Sequence, residues 1–99
     1  MAHRLAPEAE ADLDDIWWYV VKESGSAEVA DRLIDSITAR FLVLGDNPYL
    51  GRSRDDLRHG LWSFPIRQYV VIYRVESSRD VVILHVVRGS RDIGGLLGH

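Results

Sequence analysis

Ninety-nine residues, 46% of them hydrophobic and 27% charged, describe one ordinary globular domain spanning 1–99, with about 65% of its unfolded surface buried, and they exclude disordered and fibrous classes. Twelve basic residues against fifteen acidic ones leave a net charge of −3, which argues against a chain that coats nucleic acid, because such proteins are strongly cationic. Cysteine is absent, so disulfides, thiol nucleophiles and Cys-bound zinc are excluded, and no apolar run reaches the length of a signal peptide or membrane span; a soluble cytoplasmic chain without a membrane partner is expected.

His3, Arg4, Leu5 and Ala6 leave room for a short opening strand only. Pro7 suits the first position of a helix, where its missing N–H costs nothing, and Glu8 and Glu10 complement the helix dipole. Ala6 at the cap position has no side-chain acceptor, so this end is under-capped. Ala9, Leu13, Ile16 and Val20 recur at helical spacing, with Trp17 and Val21 beside them, and Gly25 suits a left-handed helix end. Ser26 then reads as the N-cap of a second helix carrying Ala30, Leu33, Ile34, Ile37, Phe41 and Leu44, stopped by Asn47 and Pro48. The short connection predicts an antiparallel helical hairpin.

Pro48 to Gly60 reads as a polar, Arg-rich loop. Leu61 to Phe64 is a short strand that Pro65 confines to an edge or an end. Tyr69 to Tyr73 and Val81 to Val87 are apolar on both faces, as central strands are, and Glu76 to Arg79 joins them as a hairpin. The glycine-rich tail 94–99 is expected to fray. The order strand, helix, helix, strand, strand, strand predicts an α+β domain, a helical hairpin packed on one face of a mostly antiparallel sheet.

The charge is divided along the chain. Residues 1–47 carry ten acids and four bases, and residues 48–99 five acids and eight bases. Eleven of the twelve basic residues are Arg, whose planar fork binds carboxylate or phosphate bidentately as Lys cannot. Period-two spacing places Arg74 after Val70 and Ile72 on one strand face, and Arg88 after Val82, Leu84 and Val86 on another. Singly, such arginines serve as rim ion pairs with Asp55, Asp56 and Asp92; together they mark a candidate working surface. The four histidines lack metal-ligand spacing; His85 reads as a core or rim residue and His59 as solvated. Asp12, Asp14 and Asp15 read as a solvated acidic face without the further carboxylates of a cation site. Trp18 falls opposite Ala9 on the helical wheel, which leaves two readings: an exposed interface anchor, or a side chain covered by the second helix or the loop. No metal or cofactor is expected.

Five pieces, in order, resemble a known family: Leu5 to Ala9 running on to Asp12 through Ile16 and Tyr19; Asn47-Pro48-Tyr49-Leu50-Gly51-Arg52; Asp56 to Leu61; Tyr69 to Arg74; and Val86-Val87-Arg88-Gly89-Ser90-Arg91-Asp92. Together they are similar to the RelE/ParE superfamily of toxins from bacterial type II toxin–antitoxin modules, and Pro-x-x-Gly-Arg, Tyr-x-x-x-Tyr-Arg and Arg-Gly-Ser-Arg-Asp lie closer to ParE than to RelE. The resemblance implies a βααβββ fold and a growth-arresting toxin that forms a hetero-oligomer with a cognate antitoxin. The antitoxin's N-terminal part would bind DNA, and the pair would repress its own operon. ParE-like members act on DNA gyrase; the alternative, a RelE-like member, cleaves mRNA on the ribosome. Arg88 stands where the family often has His, which weakens His-based chemistry beside the last strand. Ala6 stands where it often has Ser, at a cost of ~1 kcal/mol in helix stability. Catalytic residues stay unassigned, His59 or His85 with Arg74 being the conceivable pairing, and the chain reads as a binder rather than an enzyme. Arg52, Arg54, Arg58, Arg74, Arg88 and Arg91 are the expected target-binding residues, with Trp18 and Tyr19 as antitoxin anchors.

Overall fold

The structure is a computed structural model that describes residues 2–89. Arg91, Asp92 and the glycine-rich tail lie outside the described residues. The elements run β1 (His3–Leu5), α1 (Pro7–Ser24), α2 (Ala27–Asp46), β2 (Arg52–Ser53), β3 (Leu61–Ile66), β4 (Tyr69–Val75) and β5 (Val81–Arg88). Both helix starts follow from their sequences. Pro7 opens α1 after an Ala6 that makes no side-chain cap. The Ser26 hydroxyl accepts the Val29 N–H at 3.2 Å to open α2, satisfying one of the donors a helix start leaves unpaired. Gly25 closes α1 at φ 71°, in the left-handed region, its N–H donating to Val21 O at 2.8 Å. The two helices are tied by Trp17, whose indole N–H donates to Asp31 Oδ1 at 2.7 Å.

The sheet has the order β1-β5-β4-β3-β2. β1 runs parallel to β5, and the other pairs are antiparallel. The α+β fold read from the sequence is therefore observed, with one strand more than expected: the Pro48–Gly60 segment contains β2, two residues paired to Ser63 and Trp62. Ala9, Leu13, Ile37, Phe41 and Leu44 from the helices pack on Val71, Tyr73, Val81, Ile83 and Val86. The face away from the helices is apolar too, with Leu61, Ile72, Val82 and Val87 buried, as the apolar strand sequences require.

One register break matters for the site. Tyr73 lies opposite Ile83 and Ile72 opposite His85, so Leu84 is an extra residue, a β-bulge. A bulge inverts the alternation beyond it. Val82 stays on the face away from the helices, whereas Val86 enters the core and Arg88 pairs across to the core residue Tyr69. The single face expected for Val82, Leu84, Val86 and Arg88 is corrected accordingly.

Candidate functional site

The arginines expected to bind a target fall into two groups. On the face away from the helices, Arg4 lies beside Val82, Val82 beside Arg74, and Arg74 beside Leu61. Arg52 lies beside Ser63, which pairs with Ile72 on that same face. Arg4 and Arg74 both reach Glu76 Oε2, at 3.1 and 3.4 Å. One carboxylate facing two guanidiniums leaves an excess of positive charge, and exposed pairs of this kind contribute about 1 kcal/mol or less. Arg54 forms a forked pair with Asp56, its Nε and one terminal nitrogen each at 3.1 Å. This hydrogen bond, with the guanidinium's charge, lowers the Asp56 carboxyl below its ordinary range. Arg58 lies on the same loop, where its N–H donates to Arg54 O at 3.3 Å. Arg52, Arg54, Arg58 and Arg74 thus come from one end of the sheet, joined by Arg4, which the sequence reading passed over because a three-residue strand gives no periodicity.

The loop that delivers Arg52 is pinned by Tyr73. Its buried hydroxyl donates to Pro48 O at 2.9 Å and accepts the Gly51 N–H at 3.0 Å. Burial pushes this hydroxyl above the ordinary tyrosine range, and the Gly51 N–H partly offsets the shift. A Cβ on Gly51 would meet Ser63 O and the Tyr73 hydroxyl at 2.5 Å, so the close approach requires glycine. Pro-x-x-Gly-Arg and Tyr-x-x-x-Tyr-Arg are the two halves of this latch, and each is followed by an arginine of the same face.

Arg88 stands apart from that group. It sits 4.9 Å over the Tyr19 ring and reaches its hydroxyl at 3.4 Å. With Asp12, Asp15, Ile16, Tyr69 and Val86 these residues line a cleft of about 300 Å³ between α1 and β5. Trp18, next to Tyr19 in the chain, is 61% exposed and Tyr19 46%, so neither α2 nor the loop covers Trp18; its ring meets Trp17 edge-on at 5.0 Å. The cleft continues into an open sheet edge, since β1 pairs with β5 only as far as Ile83. Beyond it, Asp12 Oδ2 accepts the Val86 N–H at 3.0 Å and lies 3.2 Å from His85 Nδ1. Asp12 therefore belongs to a half-buried contact, not to the solvated acidic face expected for it, and His85 is a rim residue as read. His59 is solvated, 3.8 Å from Asp55. His85 is engaged with Asp12 while Arg74 binds Glu76, so neither histidine is drawn into a unit with Arg74. Among the described residues no cluster of potential ligands could hold a metal ion, and no helix is long and apolar enough to cross a membrane.

Residues 4–93 match the model of a family described as the ParE toxin of the type II toxin–antitoxin system parDE. The chain belongs to the ParE toxin family. Within it, the chain is 37% identical over 87 residues to Toxin ParE3 of Caulobacter vibrioides, covering 88% of this chain and 85% of that protein. It is 31% identical over 90 residues to Toxin ParE1 of the same organism, covering 90% and 93%. A solved chromosomal ParDE toxin–antitoxin system from P. aeruginosa superposes with a TM-score of 0.75 at 25% identity, covering 89% of this chain and 95% of that one. The RelBE2 toxin–antitoxin complex of Mycobacterium tuberculosis shares the fold, with a TM-score of 0.57 at 21% identity over 88% and 95% of the two chains. The ParE-like motifs thus sit on a ParE-like fold, and the Tyr73 latch gives them a physical reading.

Proposed function

We propose that this ParE-family toxin arrests growth by binding and inhibiting DNA gyrase, and that a cognate antitoxin with a DNA-binding N-terminal part neutralises it in a hetero-oligomer. The observation that carries the reading is the division of the surface. Arg4, Arg52 and Arg74 gather at one end of the face away from the helices, with Arg54 and Arg58 on the loop beside them, as the surface for a target. The cleft between α1 and β5, where Tyr19 meets Arg88, with exposed Trp18 next to Tyr19 on α1, suits an amphipathic antitoxin segment that brings acidic groups to Arg88. Arg91 is proposed with the target group from its sequence position alone. The family supports gyrase over the ribosome, and so does the charge: a chain of net −3 approaches dense RNA phosphate poorly.

The test adds purified toxin to a gyrase supercoiling reaction and to a translation reaction in which mRNA ends are mapped. Inhibited supercoiling with intact mRNA is expected. Codon-positioned cuts with supercoiling unaffected would replace this reading with the RelE-like one. For the antitoxin, Trp18→Ala is expected to weaken measured affinity about tenfold or more, as truncating an aromatic anchor does; unchanged affinity would remove Trp18 from the interface.

A further inference from the structure

A second cationic site lies at the opposite end of the sheet from the target group, where the β3–β4 turn meets α2. Arg67 occupies that turn with φ 57°, in the left-handed region that side chains other than Gly and Asn rarely adopt. The two-residue turn between Ile66 and Tyr69 imposes that conformation and holds Arg67 at a fixed place at the end of the sheet. Arg67 and Arg40 of α2 together line a cleft of about 240 Å³ walled by Ser36, Phe64, Pro65 and Ile66. Neither guanidinium has a hydrogen-bond or ion-pair partner among the described residues. Arg67 also borders the clefts that hold Arg32 and Arg88. Arg32 is matched by Glu28 at 3.6 Å.

The chemistry of the adjoining edge narrows the ligand. β2 pairs with β3 only at Trp62 and Ser63, and Leu61 O accepts the Arg54 N–H on that side. By the alternation of an antiparallel strand, Pro65 is the next residue to face outward. It offers a carbonyl and no N–H. The site therefore combines two forked donors for carboxylates, one outward backbone acceptor and an apolar wall from Phe64 and Pro65. A peptide with backbone N–H groups and acidic side chains satisfies all three. We propose that Arg40 and Arg67 form a docking site for an extended acidic peptide segment of a partner protein, separate from the α1–β5 cleft and from the arginines near Glu76.

The experiment titrates the full chain into a fluorescein-labelled ten-residue peptide of alternating Glu and Ala, read by anisotropy at low salt, with the Gln-for-Glu peptide as control. Binding of the Glu peptide and not the Gln peptide is expected. Arg40→Ala and Arg67→Ala should each weaken it about fivefold or more, as loss of a charge-assisted fork does. Arg79→Ala, at the other positive-φ hairpin position (φ 70°), should leave it within about twofold. Far-UV circular dichroism checks that the variants are folded. Equal binding by wild type, Arg40→Ala and Arg67→Ala would overturn the proposal. So would displacement by inorganic phosphate or a ten-nucleotide single-stranded RNA at lower concentration than unlabelled peptide, which would assign the site to phosphate.

Discussion

Asp12 joins two elements through a single oxygen. Its Oδ2 takes the Val86 N–H, a backbone donor that a neighbouring strand would otherwise have satisfied, and approaches His85. Asp12→Ala leaves that donor unpaired and is expected to cost about 1–3 kcal/mol in urea unfolding. Asp12→Asn keeps an acceptor and should retain most of the stability; equal losses in the two variants would show that the Val86 bond is not what matters. The Tyr73 latch gives a pH dependence. Because burial raises the folded-state pKa of this hydroxyl, the unfolded chain ionises first, near pH 10. Above that pH the unfolded state binds fewer protons than the folded one, so stability falls as pH rises. Tyr73→Phe should remove that component of the alkaline slope while lowering neutral stability by about 1–3 kcal/mol through the orphaned Gly51 N–H. Gly51→Ala should destabilise by a similar amount, about 1–3 kcal/mol, because the Ser63 carbonyl it meets is backbone. At this scale the sequence was legible where the physics is local: the Ser26 cap, Gly25 and the Pro7 start. It was not legible for Asp12, whose partners lie more than seventy residues away.

Both helices, and three of the five strands, follow from periodicity close to their observed ends. The additional strand, β2, escapes because two residues make no period. The bulge at Leu84 escapes because an apolar strand reads the same on either side of an inserted residue, and with it went the true face of Arg88. The sheet's edges show how short strands are protected. The β3 edge beyond β2 carries Pro65, and the β5 edge beyond β1 carries the Asp12 carboxylate. Pro65→Val restores an outward N–H on the β3 edge and is expected to raise the dimeric or larger fraction seen by light scattering relative to wild type. An unchanged size distribution would show that proline is not the guard.

Across the molecule, a net charge of −3 is an average over an acidic helical layer and an arginine-bearing sheet. The sequence showed that division along the chain but not in space, since faces are set by register. The structure sends Arg4, Arg52 and Arg74 to one end of the face away from the helices, with Arg54 and Arg58 on the loop at that end, and Arg88 to the helix side with Tyr19. The ParE family resemblance was legible because its motifs are the latch residues and the arginines that follow them. The division of labour is tested most directly by the toxin concentration that half-inhibits gyrase supercoiling, compared for wild type, an Arg52→Ala/Arg74→Ala double variant and a Trp18→Ala/Tyr19→Ala double variant. The arginine variant should need about tenfold more protein, consistent with loss of two charged contacts, and the aromatic variant should match wild type. An arginine variant that inhibits like wild type, or an aromatic variant that alone loses inhibition, would contradict the assignment of the two faces.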